Sequence, residues 1–380
     1  MTPASLWQTF ALDLDKARPG FAKGPWFTMN AMVELDGPVD IAVLARAFDD
    51  LQRRHDVLRT TVDDEPLQVV ADEPLSPLEV FQEAPEIHAP VDRLAPVRLR
   101  IGEDRIALHL HHLISDPVTL WAAFADLAAC YTARLWASEL PPPAAQYADY
   151  TLDEAEQVRR NRDAAERWWQ TVLGEAAAPP SGPAGDPFAF RAQLLTSAET
   201  ARAEDLIKAK RSTMLVSLLT ALADGMTPYA GPGDTMVFST LFGKRDRPAW
   251  QSVLGPCIVP SYLVVPMAST GDHLAAVRDS VVGCSRYARF PQSEIAQGPR
   301  TPFFEYVAQG WPEAYKFGGV TGSVVAAAGP KDTGLAGALG IRARKTAEGA
   351  LSAHFSADGT DWTETHMAQL RTHFAEQLQN

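Results

Sequence analysis

Between Ile106 and Leu135 the hydrophobic pattern changes period once, at a proline, and this change dictates a strand followed immediately by a helix. Ile106, Leu108, Leu110 and His112 share one side of a period-two pattern, with Ala107, His109 and His111 on the other. After Pro117, the apolar residues Leu120, Trp121, Phe124, Leu127, Ala128, Tyr131 and Leu135 recur at helical spacing. Ser115 or Asp116 is the expected N-cap, and Pro117 the first helical residue, where its missing N–H is no loss. A residue before proline is pushed out of the α region, so Asp116 is expected to be extended, as a cap residue must be.

This corner also carries chemistry. His111 and His112 are adjacent imidazoles, and Asp116 follows His112 by four residues. An imidazole emerging among leucines is held neutral by desolvation, which suits a base near neutral pH. His111, on the other strand face, reads as structural. Ser115 lies in no G-x-S-x-G elbow and reads as a cap or turn residue. His109, His111 and Asp116 have spacing that can chelate, but no nearby Cys or His cluster completes a ligand set, so no metal is expected.

A chain of 380 residues exceeds one ordinary core and is expected to form two. Its apolar fraction of 46% and charged fraction of 21% fit a soluble globular protein, and no stretch reaches the length of a transmembrane helix. No secretory signal is visible at the N-terminus, so the expected location is cytoplasmic, without a membrane partner. The net charge of −13 argues against general nucleic-acid affinity. Two basic clusters, Arg159-Arg160-Asn161-Arg162 and Lys244-Arg245-Asp246-Arg247, read as solvated faces, with docking of an acidic partner as the alternative. Cys130, Cys257 and Cys284 show neither an even count nor C-x-x-C spacing and read as buried small hydrophobes.

The Pro- and Gly-rich run Gly174–Pro187 reads as a linker, dividing the chain into lobes 1–173 and 188–380. The first lobe is expected to hold a helix from Ile41 to about His55, a strand over Leu58–Val62, and a hairpin of Val97–Ile101 with Arg105–His112. The helix after Pro117 and another over Leu152–Leu173 complete it. The second is expected to hold helices over Ala198–Lys210, Thr213–Asp224 and Asp272–Tyr287, and a last helix with the stripe Met367, Leu370, Phe374 and Leu378. Its expected strands are Thr235–Leu241, Ile258–Val265, Val320–Ala326, Leu339–Arg344 and Ala350–Phe355. Gly231-Pro232-Gly233-Asp234 and Phe242-Gly243-Lys244-Arg245 lack the full dinucleotide and P-loop patterns, so no nucleotide cofactor is expected.

The His-His-x-x-x-Asp run resembles the core motif of the condensation domains of nonribosomal peptide synthetases, in the chloramphenicol-acetyltransferase-like superfamily. Other segments resemble the same family in the same order: Arg54-His55-Asp56-Val57-Leu58-Arg59-Thr60, Gln146-Tyr147-Ala148-Asp149-Tyr150, Trp168-Trp169, Leu254-Gly255-Pro256-Cys257-Ile258-Val259 and Arg300-Thr301-Pro302-Phe303-Phe304. The resemblance implies an α/β fold of two acetyltransferase-like lobes, each a mixed sheet with helices, in a V-shaped pseudo-dimer with an active-site tunnel between them.

It further implies transfer of an acyl or peptidyl group from a carrier-protein thioester to an amine or alcohol, forming an amide or ester. The implied partners are an acyl or peptidyl carrier protein and a small-molecule or carrier-bound nucleophile. No cofactor is held by the protein itself, since the substrate arrives on the carrier's phosphopantetheine arm. His112 matches the family's catalytic second histidine, taking the nucleophile's proton or holding the nucleophile and steadying the tetrahedral intermediate. Asp116 matches a mainly structural residue, expected to pair with Arg59, and His111 is a supporting residue. Ser115, Pro117 and Pro260 are candidates for the tunnel lining.

Three departures from the family pattern stand out. Pro117 replaces a Gly, Pro260 replaces an Asn, and the chain is shorter than a typical condensation domain. With Met1 at one end and a helix at the other, the chain is expected to be free-standing. A carrier-dependent condensation enzyme is the leading reading. A catalytically silent relative that recruits carrier proteins or enzymes is the second, and an acyl-CoA-dependent acyltransferase the third. The Asp-Phe-Gly-Trp-Gly motif of plant-type enzymes in that last class is absent.

Overall fold

The computed structural model describes residues 2–62, 65–173, 186–227, 233, 235–267, 272–295, 301–308, 312–325, 339–346, 348–357, 359 and 362–378. Most of the linker run, the Gly231-Pro232 and Asp234 turn positions, Arg300 and Ala326 lie outside the described residues.

The first part of the chain runs β1 (Thr2–Pro3), α1 (Leu6–Ala17), β2 (Thr28–Leu35), α2 (Ile41–Arg54), β3 (Thr60–Val62), β4 (Leu67–Val70) and β5 (Leu78–Phe81). It continues through β6 (Val97–Gly102), β7 (Arg105–His111), α3 (Pro117–Trp136) and α4 (Tyr147–Val172). After these come β8 (Phe188–Leu195), α5 (Ser197–Ala209), α6 (Met214–Met226), β9 (Thr235–Gly243), β10 (Ile258–Pro266) and α7 (His273–Arg286). The chain closes with β11 (Phe303–Val307), β12 (Ala314–Phe317), β13 (Val320–Val324), β14 (Leu339–Lys345), β15 (Leu351–Ala357) and α8 (Glu364–Gln377). The fold is α/β, with six-stranded sheets ordered β12-β13-β2-β7-β6-β5 and β10-β9-β11-β14-β15-β8, and a small third sheet β1-β4-β3. No helix among the described residues is long and apolar enough to cross a membrane.

Contacts divide the chain into two compact units, but not at the linker. The first comprises Met1–Arg160, Gly243–Val259 and Pro312–Gly329; the second comprises Asn161–Phe242, Pro260–Trp311 and Pro330–Asn380. This corrects the contiguous division at 173 and 188. Of the two late segments, Pro312–Gly329 joins the first unit because its sheet offers an edge that β13 pairs, and Gly243–Val259 is held by hydrogen bonds to the start of α3. Leu35 and Val33 of β2 face Gly322 and Val324 of β13, and Val325 N–H donates to Met32 O at 2.9 Å. Gly322 permits that approach, since a Cβ there would meet Val33 Cγ2 at 2.9 Å. Phe317 of β12 is fully buried beside Phe124 and Tyr131 of α3.

In the first unit, α2 and α3 cover the sheet face formed by Ala31, Val33, Leu99, Ile106, Leu108 and Leu110. The expected hairpin forms, with Ile101 opposite Ile106 and Glu103 in the left-handed region at φ 48°. Leu58 and Arg59 lie in a 3-10 turn over Asp56–Arg59, so only Thr60–Val62 of the expected strand pairs. The three cysteines are buried, as their spacing suggested. In the second unit, Phe238, Phe304, Ile341, Phe355 and Trp362 pack with Leu370 and Phe374 of α8. Gly225 lets α6 and α8 come close, since a Cβ there would lie 2.7 Å from Leu370 Cδ1. Leu370→Ala is therefore expected to lower stability by about 2–5 kcal/mol in urea unfolding, and exposed Arg371→Ala by less than about 0.5 kcal/mol.

Candidate active site

The first turn of α1 holds the end of β7 in place. Ser5 and Gln8 form a capping box, in which Ser5 N–H donates to Gln8 Oε1 at 2.9 Å and Gln8 N–H to Ser5 Oγ at 3.2 Å. The other end of the Gln8 amide donates to Leu113 O at 3.0 Å, and Trp7 Nε1–H donates to His112 O at 2.8 Å. From the opposite side, Phe27 O accepts from His112 N–H at 2.8 Å. β7 ends at His111, so His112 sits in the turn beyond the strand, with its ring packed on Trp7 and Phe27 at centroid distances of 4.8 and 4.9 Å.

These contacts fix the state of the imidazole. His112 Nδ1 is 2.6 Å from Ser115 O, and a carbonyl only accepts, so Nδ1 carries the proton and Nε2 keeps its lone pair. Burial pushes the ring's pKa below the ordinary histidine value, while the Ser115 carbonyl and the Asp116 charge act in the opposite sense. The neutral tautomer with a basic Nε2 is the form present near neutral pH. Fully buried Ser115 therefore acts through its backbone, and its hydroxyl donates to His111 O at 3.0 Å.

His111 uses both of its nitrogens internally. Nε2–H points at Gly24 O at 3.3 Å and Nδ1 accepts from Leu113 N–H at 3.3 Å, while burial holds its pKa down to about 4. His109 Nδ1 meets Asn30 Oδ1 at 2.8 Å, and burial with the charges of Arg100 and Arg98 lowers its pKa to about 3.

Asp116 is the N-cap of α3. It is extended, at φ −132° and ψ 175°, and its Oδ1 accepts from Thr119 N–H at 2.7 Å, with Pro117 opening the helix. Its side chain, 1% exposed, is paired in a forked arrangement with Arg245, at 2.7 Å to Oδ2 and 3.1 Å to Oδ1. Arg245 also donates to Gly255 O at 2.8 Å, and Gly255 N–H donates to Thr119 Oγ1 at 3.0 Å. Gly255 is obligatory here: its φ is +135°, and a Cβ would sit 2.1 Å from the Tyr147 ring.

With this geometry in view, the comparison with known proteins is direct. Residues 21–302 match the family model of the condensation domain. The chain belongs to the condensation-domain family. It is 26% identical to surfactin synthase subunit 2 of Bacillus subtilis over 251 residues, which is 58% of this chain but 7% of that much longer protein. The first condensation domain of the calcium-dependent antibiotic synthetase, solved with a substrate analogue, superposes with a TM-score of 0.73 at 17% identity, covering 100% of this chain and 95% of that one. A chain of the complex of the X-domain and OxyB from teicoplanin biosynthesis gives 0.73 at 20% identity, covering 100% and 92%. At these identities the structural likeness is one of fold.

In this condensation domain the motif aspartate does not pair with Arg59. The Arg59 guanidinium donates to Asp56 Oδ1 at 2.7 Å and to Gln52 O at 2.8 Å, closing the 3-10 turn after α2. The partner of Asp116 is Arg245, one of the residues read from sequence as a solvated basic cluster. Its charge is buried because the buried carboxylate needs it. The other cluster stays at the surface, where Arg159 and Arg160 pair with Glu156 and Arg162 with Glu294. Pro260 lies buried in β10 of the second unit. Trp7 and Phe27 were not legible as site residues. The Ser5–Gln8 spacing of a capping box, followed by apolar Ala11 and Leu12, is the signal that would have placed α1.

Two expectations follow. Asp116→Asn and Arg245→Gln should each destabilise by about 3–5 kcal/mol with coupling above about 1 kcal/mol, whereas Asp116→Asn and Arg59→Gln should add to within about 0.5 kcal/mol. His109 and His111, at about 3 and about 4 when folded, bind protons first in the unfolded chain. Their stabilising effect is complete above about pH 6.5 and is lost as pH falls from there toward the folded values. Urea unfolding should show a loss on the order of 2 kcal/mol per histidine between pH 7 and pH 5, and His109→Gln should remove one such share.

Proposed function

We propose that this condensation domain transfers an acyl group from a carrier-protein thioester to an amine or alcohol, with His112 as the group that handles the proton. The observation that carries this reading is the bond between His112 Nδ1–H and Ser115 O, which leaves Nε2 basic in a ring kept neutral by burial. Membership of the condensation-domain family supports the choice of a thioester donor.

In the proposed reaction the nucleophile donates its N–H or O–H hydrogen bond to Nε2. As its lone pair attacks the thioester carbonyl carbon, a C–N or C–O bond forms and the proton passes to Nε2. The charge on the ring is then shared with the Ser115 carbonyl, which accepts more strongly from an imidazolium. Collapse of the tetrahedral intermediate breaks the C–S bond, and the departing thiolate takes up the proton from Nε2. Trp7, Phe27 and Ser115 hold the ring; Asp116 and Arg245 hold the corner from which it projects. Pro117 fits this reading, because as the first residue of α3 it replaces a glycine without disturbing the cap.

The test offers one acyl group on a carrier protein and on coenzyme A, with a panel of amines and alcohols, and reads products by intact mass. Turnover from the carrier, reduced about 10²–10⁴-fold in a folded His112→Ala variant, is the expected result. The acid limb of kcat/KM should lie below the ordinary imidazole value of about 6.5, because the base form persists at lower pH. Turnover from coenzyme A instead would identify an acyl-CoA-dependent enzyme. Carrier binding without turnover would identify a recruiting role.

A further inference from the structure

Trp7 and Phe27 each touch His112 twice, once through its backbone and once through its ring. The Trp7 indole N–H donates to His112 O at 2.8 Å, and Phe27 O accepts from His112 N–H at 2.8 Å. Their ring centroids lie 4.8 and 4.9 Å from that of the imidazole, at interplanar angles of 41° and 29°, and 6.2 Å from each other. A triangle with those sides has nearly a right angle at the imidazole, so the two rings cover adjacent flanks of it and do not sandwich it. Phe10 backs Trp7 at 6.0 Å and Phe21 backs Phe27 at 5.4 Å, a second layer of rings that holds the first in place.

This arrangement acts differently on the two states of the imidazole. A neutral ring gains ordinary stacking from both neighbours. An imidazolium gains in addition the attraction of a positive charge for the negative face of each ring, and both centroids fall inside the roughly 6 Å over which that attraction acts. Trp7 and Phe27 are buried, so solvent screens the attraction little. The two rings therefore offset part of the desolvation that their own covering of His112 imposes. Asp116 acts in the same sense, from a carboxylate already paired with Arg245. His111 is held neutral by burial, and Arg18 rests on the outer ring, 5.0 Å from the Phe21 centroid.

We propose that Trp7 and Phe27 are positioning residues whose ring faces stabilise the His112 imidazolium as it forms, so that they act on the step in which the nucleophile gives up its proton. The contact favours the transition state over the ground state, because the charge is developing in the first and absent from the second. The kinetic consequence rests on the function proposed above; the effect on the ring itself does not.

The test titrates the folded protein by NMR with ring-labelled histidine, the His112 signal being assigned among the nine histidines by its loss in His112→Ala. Trp7→Leu and Phe27→Leu keep an apolar neighbour but remove its π face, and each should lower the pH at which His112 protonates by about 0.4 or more. Phe27→pentafluorophenylalanine keeps the ring and reverses its quadrupole, and should lower that pH at least as far as Phe27→Leu. Trp7→Phe keeps a π face and loses the indole hydrogen bond, so it should recover most of the shift seen in Trp7→Leu. In turnover from the carrier, both leucine variants should lose about threefold or more in kcat at nearly unchanged KM. Unshifted titration in the leucine and fluorinated variants overturns the proposal, as does a Trp7→Phe shift as large as that of Trp7→Leu or a wild-type His112 that stays neutral down to acid unfolding. The expected shifts in a protein without turnover would overturn the function proposed above and leave the stabilised imidazolium standing.

Discussion

A carboxylate buried at the start of α3 is the constraint around which the first unit is arranged. Asp116 caps the helix with one oxygen and meets Arg245, 129 residues away in sequence, with both. Neither charge is tolerable in that interior alone. Their pairing ties a late segment, Gly243–Val259, to the strand-to-helix corner, and Gly255 and Thr119 complete the hydrogen bonding around it. The corner then presents the His112 ring at a fixed angle. Stability and site geometry therefore share one interaction.

The three histidines of β7 and its following turn occupy different environments despite near-adjacent positions. His109 and His111 are enclosed beneath the sheet's second face, where burial keeps them neutral and both serve as hydrogen-bonding wedges. His112 lies past the last ladder position, between an aromatic pair and a backbone carbonyl. Desolvation of the charged form keeps all three neutral, but His111 spends both nitrogens on hydrogen bonds, the Nε2 of His109 is buried without a partner, and His112 keeps its Nε2 lone pair at the corner beyond the strand. The difference is geometric, not electronic.

Much of this was readable in advance, and the limits of that reading have physical causes. The strand, cap, proline and helix from Ile106 to Trp136 were legible because every signal there is local: alternation, a short polar cap and a fixed proline φ. The 3-10 turn at Leu58–Arg59 was not, because a short apolar run bounded by charges fits a strand equally well. Trp7 and Phe27 escaped notice because their contact with His112 bridges 105 and 85 residues of sequence, and nothing in the pattern of α1 or β2 encodes that approach. Arg245 looked like surface because a basic run is usually solvated, and only its distant carboxylate makes burial favourable.

By itself the sequence determined the element types, the helix cap at Asp116 and the pairing of two imidazoles with a strand end, since these follow from residue spacing and backbone preference over a few positions. Its motif order was also sufficient to indicate the condensation-domain family. Tertiary structure decided which arginine meets Asp116, which segments complete the first sheet, which nitrogen of His112 carries the proton, and that Trp7 and Phe27 meet its ring. Each of those depends on burial and on groups far apart in the chain meeting at hydrogen-bond distance, and both are properties of the packed fold.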